Sequence, residues 1–215
     1  VLLARGIRSL LVASQYHRRI RLKLDWECYS VLSVSFTFSA PRLDYVAHDH
    51  HSNVVLIMQK LRRLGYRRVS LLLDDYMMTI SEHRWLAGYL VSRELFDWPH
   101  WIAPAIFKER MSPKSLKAWY RRERPDAIIT DADFWNEKLV PILGLECPRD
   151  VGVALISVGR DSFFSGIVEN AEVVGATAAE QLVSMDQRDN RGLTNVPRRV
   201  LVPGNWNEGL SLRKQ

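Results

Sequence analysis

The sequence predicts an α/β fold with parallel sheets flanked by helices, and three observations carry that prediction. Short, largely apolar runs such as Val69–Leu73, Ala127–Thr130 and Val151–Ile156 read as strands buried on both faces. Runs of helical period separate them, and Gly or Pro punctuates most of the joins. Parallel neighbours need long crossover connections, usually helices, so the alternation itself points to parallel pairing.

Taken in order, Gly6–Ser14 (GIRSLLVAS) is a short apolar run with turn residues nearby and reads as a buried strand. Arg18–Glu27 alternates Ile20, Leu22, Leu24 and Trp26 with charge, which suits a helix or a strand equally. Val31–Phe36 is the next strand, and Pro41 breaks the chain before Tyr45–Ala47. The clearest helix runs from about His51 to Leu64, with Val54, Val55, Met58, Leu61 and Leu64 on one stripe and Gly65 as its stop. After strand Val69–Leu73, Asp74-Asp75 reads as a turn, and a helix spans Ser81–Phe96 with Ser81 as N-cap. Trp101–Phe107 is strand-like and Pro113 opens a helix to Glu123. Strand Ala127–Thr130 leads into the acidic loop Asp131-Ala132-Asp133, then a helix from Phe134 to Leu143 that Gly144 ends. Strand Val151–Ile156, helix Val173–Met185 and a last strand Arg199–Val202 complete the order.

Length and composition narrow the function. At 215 residues the chain allows one large domain or two small lobes. Hydrophobic residues at 47% and charged residues at 25% exclude disorder and coiled coil. No apolar run approaches the roughly 18 residues of a membrane span, and Arg5 and Arg8 interrupt the first one, which also lacks the pattern of a secretion signal. The chain starts without Met, which suggests a fragment or a processed product. Cys28 and Cys147 are too few for a disulfide framework and read as buried free thiols of a reducing compartment, the cytoplasm. The formal charge of +6 tolerates a polyanionic partner without establishing one. Its clusters, Arg18-Arg19-Ile20-Arg21, Arg62-Arg63, Arg67-Arg68, Arg121-Arg122 and Arg198-Arg199, fall mostly where solvated helix ends are expected.

Little of this supports catalysis. The His48-Asp49-His50-His51 run lacks a second ligand cluster at metal spacing, so no metal is expected and no cofactor either. Phosphate loops of the G-x-G-x-x-G and G-x-x-x-x-G-K-[ST] kinds are absent, as is the G-x-S-x-G elbow of esterases. Asp131 at a strand's carboxyl end has no partnered base or nucleophile, which favours ligand holding over acid–base work.

Four stretches resemble the effector-binding domain of LacI/GalR-type bacterial transcription regulators. They are RLDYVAHDHHSNVVLIMQKLRRLGYRRVSLLL, RWLAGYL, the pair RPDAIITDADF and LGLECPRDVGVALISV, and IVENAEVVGATAAEQLVSM with the closing RGLTNVPRRVLVPGNWNEGLSLR. The family's order is kept over nearly the whole chain, while its helix-turn-helix, hinge helix and first strands have no counterpart. The resemblance implies a two-lobed, periplasmic-binding-protein-like fold: an incomplete N-terminal lobe of residues 1–66 plus 164–192, and a C-terminal lobe of 67–163 plus 193–215. It implies a non-enzymatic homodimer that binds a small-molecule effector, a sugar or sugar-like compound, in the interlobe cleft. Effector occupancy would modulate affinity for operator DNA, gripped by the helix-turn-helix lacking here. The ligand-binding residues it implies are Asp49, Arg84, Trp85, Asp131 and Ser157. Trp85 stands where the family has a sugar-contacting Arg, with Arg84 one step and about 100° around the helix, and Ser157 replaces an acidic residue. A flat apolar face with one donor in place of a five-donor fork leads us to expect a ligand with a stackable side. A free-standing solute-binding protein of the same fold and an α/β enzyme are the rival readings.

Overall fold

Parallel pairing organises both sheets of this computed structural model, which describes residues 1–14, 22–38, 40–98, 100–107 and 112–215. In chain order the strands are β1 (Ser9–Val12), β2 (Ser30–Val34), β3 (Asp44–His48), β4 (Val69–Asp74), β5 (Ala105–Phe107), β6 (Ala127–Thr130), β7 (Gly152–Leu155), β8 (Ser165–Val168), β9 (Arg199–Val202) and β10 (Asn205–Asn207). The α-helices are α1 (His50–Arg63), α2 (Asp75–Ile80), α3 (Arg84–Phe96), α4 (Pro113–Glu123), α5 (Ala132–Phe134), α6 (Val140–Leu143) and α7 (Ala171–Gln187). A π turn over Trp135–Leu139 joins α5 to α6. The chain divides into two compact units, Val1–Asp49 with Asn170–Val202, and His50–Glu169 with Pro203–Gln215.

The first unit holds a four-stranded parallel sheet in the order β1-β2-β3-β9. Helix α7 lays Val174, Ala178, Leu182 and Met185, a spacing of three and four, against Leu32, Val46 and Val202. Asp44, 3% exposed, accepts from the Arg198 backbone N–H at 2.8 Å and from its Nε at 2.9 Å, which fixes the entry into β9. Strand β1 is the sheet's edge rather than a buried strand: it pairs on one side only, and Leu11 is half exposed.

The second unit's sheet runs β10-β8-β7-β6-β4-β5, parallel throughout except that β10 returns antiparallel beside β8. Period-two alternation sends Leu71, Leu73, Ile129 and Ala154 to one face and Leu72, Ile128 and Val153 to the other. On the first face α1 and α3 bring Val54, Ile57, Met58, Leu61 and Tyr89, each fully buried. Every such aliphatic side chain contributes about 1.5–3 kcal/mol by leaving water. On the second face Leu116 and Trp119 of α4 pack with Phe134, Trp135 and Leu139. Gly88 of α3 lets the two helices touch, since a Cβ there would lie 2.5 Å from the His51 carbonyl oxygen.

Several expectations change. The units break at 49/50, 169/170 and 202/203, so helix α1 belongs with β4 and the second core, and β9 pairs with β3 in the first unit. The boundaries expected at 66, 163 and 192 were those the family resemblance implies, whereas the apolar stripe of α1 packs it into the second core. Asp74-Asp75 is not a turn: the Asp74 side chain caps α2 by accepting from the Met77 N–H. Ser81 does not cap α3, because its hydroxyl donates to the Met78 carbonyl; His83 precedes α3 in the left-handed region. Asp131 caps helix α5, so the helical run starts before Phe134. Strands β8 and β10 escaped the sequence reading, each being short and rich in Ser, Gly or Asn. Cys28 and Cys147 are half-buried, not buried, and both are free. Residues 18–21 of the ambiguous Arg18–Glu27 stretch lie outside the described residues, and Trp26–Cys28 forms a single 3-10 turn. Among the described residues no helix is long and apolar enough to cross a membrane, and no three His, Cys, Asp or Glu side chains are grouped to hold a metal ion.

Candidate functional site

In an open parallel sheet the carboxyl ends of the strands are where loops diverge and ligands bind. In the second unit, β8, β7, β6 and β4 lie side by side, and their carboxyl ends deliver Glu169, Ser157, Asp131 and Asp74 in a row. Ser157 is exposed and its hydroxyl donates to Glu169 Oε2 at 3.2 Å. The other Glu169 oxygen stands 3.7 Å from Nδ1 of His50, the first residue of α1. The His50 ring in turn lies 4.5 Å from the Trp85 ring, centroid to centroid, at 40°. One continuous set of contacts therefore links the ends of β7 and β8 with the amino ends of α1 and α3.

Asp131 and Asp74 form the other half of the row. Each caps the helix that follows it, Asp131 accepting from the Phe134 N–H at 2.8 Å and Asp74 from the Met77 N–H at 2.7 Å. Burial pushes the Asp131 carboxyl above the usual carboxylate range; the Phe134 N–H pulls it down, and the Asp74 charge pushes it up further. Two buried polar atoms here have no protein partner among the described residues: Asp131 Oδ2 and Trp85 Nε1. The hydroxyl of Thr130, at the end of β6, is a third. An orphaned buried group of this kind costs about 1–3 kcal/mol unless something else completes it.

The structure brings Trp85, Asp131 and Ser157 to this end of one unit. Arg84 begins α3 beside them, with its Nη2 3.5 Å from Glu82 Oε2. Asp49 belongs to the first unit, where its backbone N–H donates to the Val202 carbonyl at 2.8 Å and prolongs the β3–β9 pairing. Trp85 is only 4% exposed, its ring face against His50, so it offers a donor edge rather than an open stacking platform. The sequence reads Asp74 as a turn and His50 as part of a histidine run, and it does not single out Glu169. Asp74 carried a signal, since an acidic residue directly after a buried strand repeats the pattern of Asp131; Glu169 had none, because β8 was not recognised.

No protein-family model matches the sequence, and a search of curated protein sequences finds no match. Solved structures do match. A transcription regulator from Lactobacillus plantarum superposes with a TM-score of 0.67 at 18% identity, over 100% of this chain and 86% of that one. A LacI family transcriptional regulator from Enterococcus faecium with bound ribose gives 0.61 at 15% identity, over 86% and 71%. The transcriptional regulator CelR in complex with cellobiose gives 0.65 at 17%, over 98% and 67%. The chain has the periplasmic-binding-protein-like α/β fold of these transcription regulators, the Enterococcus faecium LacI family protein among them.

Proposed function

We propose that this chain is the effector-sensing domain of a LacI-like transcription regulator and binds a small polar molecule at the carboxyl ends of the second unit's strands. The observation that carries this reading is the pair of buried, unpartnered atoms, the Asp131 Oδ2 acceptor and the Trp85 Nε1 donor, beside a row of strand-end polar groups. A ligand bearing both hydroxyl donors and oxygen acceptors completes both, which suits a sugar or sugar-like compound; the ribose held by the Enterococcus faecium regulator supports that class. Arg84, at the start of α3, is the further ligand contact we propose. No bond is made or broken in this reading. The effector favours one arrangement of the protein over another, and only its differential affinity for the two does work on the DNA. Operator DNA is gripped by a DNA-binding module joined to this domain in a cytoplasmic homodimer, since two modules must read two half-sites.

Calorimetry of this chain with ribose, other pentoses and hexoses, nucleobases and amines tests the proposal. Binding by at least one polyhydroxy compound is expected, weakened roughly tenfold or more by Asp131→Ala, because a hydrogen bond to a charged group contributes about 1.5–3 kcal/mol. Absence of binding across the panel, or binding indifferent to both Asp131→Ala and Trp85→Ala, overturns it.

A further inference from the structure

The opposite end of the second unit's sheet carries a second surface. Helices α1, α3 and α4 finish there and β4, β6 and β7 begin there. Hydrogen bonds draw the pieces together. Arg62 Nε donates to the Phe96 carbonyl, and Trp98 Nε1 to that of Arg67 at 2.9 Å. Arg68 donates from Nε to the Arg124 carbonyl at 3.1 Å and from Nη2 to that of Glu123. The C-terminal segment joins through the Gln215 N–H, which donates to the Leu64 carbonyl at 2.8 Å.

The charge at this end is unbalanced. Arg63, Arg67, Arg121 and Lys214 are exposed and make no ion pair with a described residue. Three nearby carboxylates are already engaged, since Asp126 accepts the backbone N–H groups of Arg67 and Arg68 at 2.8 and 2.9 Å, Glu123 pairs with Arg122, and Asp150 with Arg149; exposed Asp97 after α3 offsets one cation. Cations in a last helical turn complement the macrodipole, which accounts for Arg63 and Arg121. It does not account for Arg67 and Lys214, which lie outside any helix.

We infer that this end of the second unit docks on the phosphodiester backbone of duplex DNA, by charge and without reading sequence. Arginine dominates the surface, and its planar fork matches phosphate oxygens two at a time. A duplex carries one charge per roughly 1.7 Å of axis, so it meets at once cations spread over the ends of α1 and α4, the segment before β4 and the C-terminal segment. The surface is separate from the strand-end site proposed for the effector and serves a different partner. Such contacts hold the domain near DNA whatever the operator sequence is.

Fluorescence anisotropy of this chain with a duplex of arbitrary sequence, at several salt concentrations, tests the inference. Phosphate contacts by the four cations Arg63, Arg67, Arg121 and Lys214 predict a slope of log affinity against log salt near −3.6, and a loss of about 150-fold between 50 and 200 mM. Arg63→Glu/Arg67→Glu should weaken binding at least tenfold at low salt and flatten the slope by about two. Arg67→Glu is compared with Arg160→Glu, an equal charge reversal at an exposed position after β7, where the change should stay within about twofold. Equal losses from Arg67→Glu and Arg160→Glu overturn the inference, as does a salt-insensitive, sequence-dependent affinity. Equally tight binding to poly-glutamate or to phosphatidylcholine–phosphatidylserine vesicles at matched charge overturns it in favour of an acidic protein or a membrane surface.

Discussion

Replacing Gly88 by alanine sets two opposed effects against each other. Alanine in a helix interior is favoured over glycine by about 1 kcal/mol. Against this, the new Cβ would sit 2.5 Å from the His51 carbonyl oxygen and 3.1 Å from the Val54 Cβ. The oxygen is backbone, held in the α1 ladder, and cannot rotate away. Relief to an ordinary carbon–oxygen contact of about 3.3 Å requires the helices to part by roughly 0.8 Å. Overpacking of this kind costs about 1–3 kcal/mol, and helix separation also loosens the buried stripe of Val54, Met58 and Leu61. The clash should win, with a net loss of about 1–2 kcal/mol and a fall in Tm of a few degrees. Gly175, in the second turn of α7, is the control: a Cβ there meets nothing within 4 Å, so Gly175→Ala should stabilise by about 0.5–1 kcal/mol. Thermal and urea unfolding of both variants, followed by circular dichroism, gives the signs. A Gly88→Ala protein as stable as Gly175→Ala would refute the close helix contact and, with it, the placement of His50 against Trp85.

Two further outcomes concern charge. Because the folded-state Asp131 carboxyl lies above its ordinary value of 3.8, the folded state holds that proton more tightly than the unfolded one. Its contribution therefore falls as pH rises from the ordinary value through the raised one, and stays low above it. Asp131→Asn keeps the helix cap, so it should be more stable than the parent at pH 7 and indistinguishable near pH 3.5, as read by melts across that range. A stability difference that does not change with pH would contradict the burial assigned to this carboxyl. Asp44→Ala removes the buried acceptor of the Arg198 backbone and side chain and should cost the first unit about 1–3 kcal/mol in urea unfolding. Asp44→Asn, which can still accept from the backbone N–H, should recover part of that loss; wild-type stability for both would show that the pairing contributes nothing.

The sequence by itself determined the elements whose pattern is local. The stripe of α1, the apolar strands β4, β6 and β7, the Pro113 start of α4 and the Gly144 stop of α6 all depend on neighbours a few residues away. Resemblance in four stretches also identified the fold, which the solved transcription regulators share. Tertiary structure decided what those elements join. Strand β9 reads like any short strand, and only its register with Tyr45–His48 places it in the first unit. Strands β8 and β10 hold their shape by pairing, not propensity: Gly166 and Asn207 are register partners, and Ser211 bridges Val153 and Ser165. Of the candidate site, Asp131 and Ser157 were legible because a residue following a buried strand must emerge at the sheet's carboxyl end. Glu169 and His50 were not, because their roles come from a contact across 119 residues that no local period encodes. Trp85 shows the limit most clearly. Its position at the head of α3 could be read from the sequence, but whether its ring faced a ligand or a neighbour depended on His50, which arrives from another helix.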